Sequence, residues 1–98
     1  VNVINRVALR EMMVRHPDAQ VSLEAWWRVA KAGNWNHLAA CRAAIPSADQ
    51  VGRCLIFNIQ GNSFRLITVV SWRNRRIYVK ALLTHRESER NIWHNWAF

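Results

Sequence analysis

Cysteine is nearly absent from this chain of 98 residues: only Cys41 and Cys54 occur, with no CxxC spacing and no accompanying histidine pair. That argues against a disulfide framework and a zinc site, and two small buried thiols in a reducing compartment are expected. Long apolar runs are missing too, because Arg6, Arg10 and Arg15 interrupt the N-terminal pattern, so neither a signal peptide nor a membrane span is read. A cytoplasmic protein is expected. There is no internal repeat, no low-complexity tract and no room for a linker, which leaves a single domain over residues 1–98. At 51% hydrophobic residues the chain can build a core without staples.

Acidic residues are the other scarcity: six against fourteen lysines and arginines, a net charge of +8. Such a balance suggests a polyanionic partner. Twelve of the fourteen cations are arginine, whose planar fork pairs bidentately with phosphate and stacks on bases. The charge is uneven, since residues 51–98 hold eight cations and two acids and so carry +6 of the total.

That basic half is organised around three runs of β-branched and aromatic residues, Cys54–Ile59, Phe64–Trp72 and Ile77–Leu83. Gly61-Asn62 separates the first two, Asn74 separates the second and third, and the pattern reads as a meander of hairpins. Alternation places Phe64, Leu66, Thr68 and Val70 on one face with Ile77, Val79, Ala81 and Leu83. Arg65, Ile67 and Val69 fall on the other face, with Arg76, Tyr78, Lys80 and Leu82. The apolar face needs a cover of helices.

Upstream, Val1–Ile4 reads as a short edge strand and Asn5 as the N-cap of a helix over Arg6–Arg15, stopped near His16 by Pro17. Asp18 is placed to cap a second helix to about Ala32, with Leu23, Trp26, Trp27 and Ala30 at helical spacing and Gly33 as its stop. Trp26 and Trp27 cannot share one narrow stripe, so one is expected at a helix boundary. Leu38–Ala44 suits a turn or two of helix, and Pro46-Ser47-Ala48-Asp49 is turn chemistry. Downstream, Arg86–Trp96 can form a helix with Ile92, Trp93 and Trp96 on one side. The expected architecture is α+β: a short N-terminal strand and two helices packed on a three-stranded antiparallel meander, then a C-terminal helix.

Cleaving RNA without a metal requires removing a proton from a 2′-hydroxyl, stabilising charge on phosphorus and protonating the leaving oxygen. His85, directly after the third strand, is the candidate proton carrier, because imidazole exchanges protons near neutral pH. Arg65 is the candidate phosphate clamp. Lys80 can share that role or, crowded by Arg65 and Arg76, act as a proton donor. Arg73, Arg75 and Arg76 at a hairpin tip and Arg86 can hold flanking phosphates, while Asn58 and Asn62 can bond a base or ribose. No histidine pair has metal-ligand spacing, and no cofactor is expected.

The string FNIQGNSFRL, followed one strand later by IYVKALLTHRE and preceded by HPDA and IPSADQVG, resembles the HigB family of toxins, part of the RelE-like group of bacterial toxin–antitoxin systems. The resemblance runs from VINR through the Thr84-His85 pair. It implies a RelE-like fold, an mRNA interferase that cuts messenger RNA, usually on the ribosome, and a HigA-type helix-turn-helix antitoxin. By position, Arg65 matches the family's arginine after GNxx, Lys80 a basic residue on the last strand, His85 the histidine of TH, and Asn58 and Asn62 the asparagines of FNxxGN. Ser88-Glu89 departs from the family, which often has Tyr-Asp there. Two other readings stay open: a catalytically weak or inactive basic RNA- or ribosome-binding module, and an interaction partner in a repressor complex.

Overall fold

Asn5 starts the helical layer and ties it to the sheet. Its backbone is left-handed at φ 75°, a conformation asparagine tolerates better than most residues. From there its Oδ1 accepts from the Ala8 amide at 3.3 Å while its Nδ2 donates to the Val79 carbonyl at 3.4 Å. The computed structural model describes residues 1–61 and 63–89. Along them run β1 (Asn2–Ile4), α1 (Arg6–Arg15), a single 3-10 turn (Pro17–Ala19), α2 (Gln20–Ala32), α3 (Leu38–Ala44), β2 (Asp49–Val51), β3 (Cys54–Ile59), β4 (Phe64–Ser71), β5 (Arg76–Thr84) and α4 (His85–Ser88). The fold is α+β.

The strands form one five-stranded sheet in the order β1-β5-β4-β3-β2, antiparallel except where β1 runs parallel to β5. The meander and the edge strand are where the sequence places them. One strand more is present than expected, because the turn chemistry ends at Ser47 and Asp49–Val51 folds back on β3 through Gly52, whose φ is 55°. Three residues are too few to show the period-2 pattern that identifies a strand.

Helix α1 ends at His16 before Pro17, but Asp18 does not cap α2. Pro17, Asp18 and Ala19 instead make the 3-10 turn, and Ala19, fully buried, occupies the cap position without a side-chain bond. Leu23, Trp26 and Ala30 form the buried stripe of α2, with the Trp26 ring edge-on to Phe57 at 5.3 Å between centroids. Trp27, one position around, lies half-buried with Lys31 4.6 Å and Arg6 5.8 Å from its ring. Both tryptophans sit mid-helix, so neither marks a boundary. The helix does stop at Gly33, through close approach rather than a left-handed residue: a Cβ there would meet Trp35 Nε1 at 2.5 Å. His37 caps α3, its Nδ1 accepting from the Ala40 amide at 3.1 Å.

The helices cover one sheet face, where Leu55, Phe57, Phe64, Leu66, Ile77 and Val79 are buried with Leu9, Leu23 and Trp35. Thr68 is buried too, its hydroxyl donating to the Leu55 carbonyl at 2.6 Å. Cys41 is fully buried, which pushes its thiol up to about 11 against the opposing pull of Arg42. A second cluster, Cys54, Ile56 and Ile67 with Val69, Ala81 and Leu83, forms on the opposite face.

Strict alternation fails along β5. Thr68 pairs with Val79 and Ile67 with Ala81, so Lys80 is an extra residue, a β-bulge. Ala81 and Leu83 therefore join the second cluster while Leu82 enters the core beside Ile77 and Val79, which corrects the face assignment made by parity. At the β4–β5 turn the left-handed residue is Arg75 (φ 53°), not Asn74, which instead donates its Nδ2 to the Ser71 hydroxyl at 3.2 Å. The C-terminal helix begins at His85; the part of it expected beyond Glu89, like Asn62, lies outside the described residues.

Phe57 is fully buried between the rings of Trp26 and Trp35. Phe57→Ala should destabilise the fold by about 3–5 kcal/mol, read as a lower urea midpoint at unchanged slope.

Candidate functional site

Arg65 and His85 share one cavity because β4 and β5 pair to their ends. Arg65 lies opposite Leu83 and Phe64 opposite Thr84, so the residue that follows Thr84 emerges at Ser63, two residues before Arg65. The cavity, of about 320 Å³, is also lined by Ile56 of β3, Val51 and Asp49 of β2, Ser47, Ser88 and Glu89. Arg65 is half-buried, and its Nη1 donates to Asn58 Oδ1 at 3.1 Å. Asn58 is its cross-strand partner. Such a bond aims the guanidinium, so here Asn58 acts first on Arg65.

A capping box holds His85. Thr84 Oγ1 accepts from the Glu87 amide at 3.2 Å, and Glu87 Oε1 accepts from the Thr84 amide at 3.0 Å. Further bonds anchor the backbone: the His85 amide donates to the Ser63 carbonyl at 3.3 Å, and Ser88 Oγ donates to the His85 carbonyl at 2.7 Å. Its imidazole Nε2 lies 3.2 Å from Glu89 Oε1. The sequence Thr84-His85-Arg86-Glu87 is itself a capping-box signature, the signal that would have placed the helix start one residue earlier. Asp49 and Val51 escaped notice as site residues because their strand did, and Ser47 because it reads only as turn chemistry.

The other candidates are dispersed. Lys80, at the bulge, lines a separate groove of about 390 Å³ between α1 and β5 with Glu11, Met12, Arg15, His16 and Leu82; neither Arg65 nor His85 reaches it. The Lys80 charge, with that of Arg53, pulls against the burial that raises the Cys54 thiol. Arg73 and Arg75 lie at the hairpin tip, beyond the paired Ser71 and Arg76, and Ser71 is six residues along β4 from Arg65 and so about 20 Å away. There Arg75 Nη1 donates to Asn34 Oδ1 at 2.9 Å. Arg86 is exposed on α4 beside His85. Asn62 cannot be placed among these groups, being outside the described residues.

An arginine and a histidine sharing one cavity on the sheet of a small α+β domain of net charge +8 define a protein suited to holding a polyanion. The family model of HigB toxin, the RelE-like toxic component of a toxin-antitoxin system, matches residues 19–91, and the chain belongs to that family. It is 24% identical over 89 residues to the mRNA interferase toxin HigB of Escherichia coli (strain K12), covering 88% of this chain and 86% of that one. The mRNA interferase HigB of Shigella flexneri matches at the same identity and coverage, 24% over 89 residues. That of Escherichia coli O6:H1 is 23% identical over 92 residues, covering 91% of this chain and 89% of its own. Membership in the toxic half of such a pair implies an antitoxin partner.

Removing the cap should loosen His85 without touching its ring. Thr84→Val should lower thermal stability only slightly, by about 1 kcal/mol, and should raise hydrogen exchange at the Glu87 amide.

Proposed function

We propose that this chain acts as an endoribonuclease on messenger RNA, as the toxin of its toxin–antitoxin pair. The observation that carries the reading is the cavity shared by Arg65 and His85, supported by family membership and by relatives named mRNA interferase. His85 takes the proton from a ribose 2′-hydroxyl, the O2′–P bond forms, the P–O5′ bond breaks, and O5′ takes a proton from water. Arg65 holds the non-bridging phosphate oxygens, matching the charge that grows on them. Asn58 fixes the direction of Arg65. Arg86 and, farther along the strand, Arg73, Arg75 and Arg76 hold neighbouring phosphates. Lys80 sits in the other groove, so its part lies in the electrostatic field around the sheet. Cleavage on the ribosome, in the cytoplasm, and a HigA-type helix-turn-helix antitoxin complete the reading. No described helix is long and apolar enough to cross a membrane.

Ser88 bears on the competing reading. It is 7% exposed and turned onto the His85 carbonyl, so no base stacks at this position as one could on the tyrosine it replaces. A binding module without catalysis follows if that loss is decisive. The test is inducible expression with growth and messenger 5′ ends followed together, beside cleavage of RNA by purified protein. Wild type should arrest growth and create new 5′ ends. His85→Ala should lose on the order of 10²–10⁴ in cleavage rate while still binding RNA, and Arg65→Ala should lose both cleavage and part of the affinity. Arrest with intact messenger would put the non-catalytic module ahead. Binding should weaken steeply with added salt, since phosphate contacts release counterions.

A further inference from the structure

Each carboxylate around His85 has its own engagement, and they differ. Glu87 closes the capping box on the Thr84 amide. Asp49, facing the cavity from β2, is held by Arg42 at 3.3 Å and by the Gln50 amide at 2.9 Å. Glu89, four residues after His85, places Oε1 3.2 Å from the imidazole Nε2. With side chains 53% and 66% exposed, this pair contributes little to stability. Its effect is on the ring. An imidazole whose Nε2–H donates to a carboxylate has a defined tautomer, with the lone pair on Nδ1.

We infer that Glu89 is a positioning residue for His85: it holds the proton on Nε2 and leaves Nδ1 as the proton acceptor. The inference rests on the nuclease reading and deepens it. Nδ1 takes the 2′-hydroxyl proton as the O2′–P bond forms, and the resulting imidazolium is stabilised through Nε2 by the Glu89 carboxylate. Glu89, which lines the same cavity as His85, supplies a carboxylate to the Nε2 side of the ring. It is the C-cap of α4 and stands four residues after His85, about one helical turn away.

The test is a double-mutant cycle on purified protein with an RNA oligonucleotide, together with ¹⁵N NMR of the imidazoles, His85 being assigned from His85→Ala. Glu89→Gln should lower kcat by about tenfold or more with KM nearly unchanged, and Glu89→Asp should restore part of the rate. Combining Glu89→Gln with His85→Ala should cost no more than His85→Ala alone. The NMR should show the Nε2–H tautomer in wild type and a mixture in Glu89→Gln. Additive losses in the cycle, or a change confined to KM, would overturn the inference. A wild type that does not cut RNA would end the nuclease reading. The tautomer would still decide the positioning role, since one unchanged between wild type and Glu89→Gln overturns it.

Discussion

The pairing of β4 with β5 is what the rest of the structure depends on, and a single inserted residue sets its register. With Lys80 bulged out, Thr68 meets Val79 and Ile67 meets Ala81. Because side chains alternate at a period of two, one extra residue exchanges the faces of everything after it. Leu82 is thereby delivered to the core, Leu83 to the face of Arg65, and Thr84 to the strand end where α4 starts. Without the insertion, Leu82 would leave a buried site, a loss of about 2 kcal/mol by transfer alone. His85 would also begin from the wrong face. Packing energy in the core and placement of the candidate site are set by the same backbone irregularity.

Beyond the strand, the site is stiffened by short-range bonds rather than by burial. The Thr84–Glu87 box and the Ser88 hydroxyl fix one helical turn directly after a long strand, so the imidazole is carried on backbone that is itself bonded at both ends. Arg65 is aimed from its own strand pair by Asn58. Arg65 is thus oriented by a neutral neighbour, whereas the His85 ring has a carboxylate, that of Glu89, at its Nε2. Arg65 and His85 line one cavity, and Glu89 lines it too.

Charge works at longer range. Most of the excess sits in the sheet half of the chain, and its arginines are spread from α4 to the opposite hairpin tip. Such a distribution suits a polyanion that spans the sheet rather than one held at a single point. Lys80, whose position on the last strand suggests a place beside Arg65, belongs to the groove under α1 instead. Strand assignment without the bulge brings the two cations together; the bulge takes them apart.

Sequence by itself determined the α+β class, the meander, the Asn5 cap, the Arg6–Arg15 helix and the residues Arg65 and His85 as candidates. Those features rest on local propensity, periodicity and capping, or on a motif whose order is kept along the chain, and each is readable within a few neighbouring residues. Tertiary structure decided the rest. The three-residue strand at Asp49 exists because β3 offers it an edge, and Ala19 rather than Asp18 precedes α2 because burying that small side chain prevails over a local cap. The faces of Ala81, Leu82 and Leu83, the separation of Lys80 from Arg65, and the entry of Asp49 into the candidate site all follow from pairings between distant segments. No window of sequence contains both partners of such a contact, which is the physical reason they had to be seen in three dimensions.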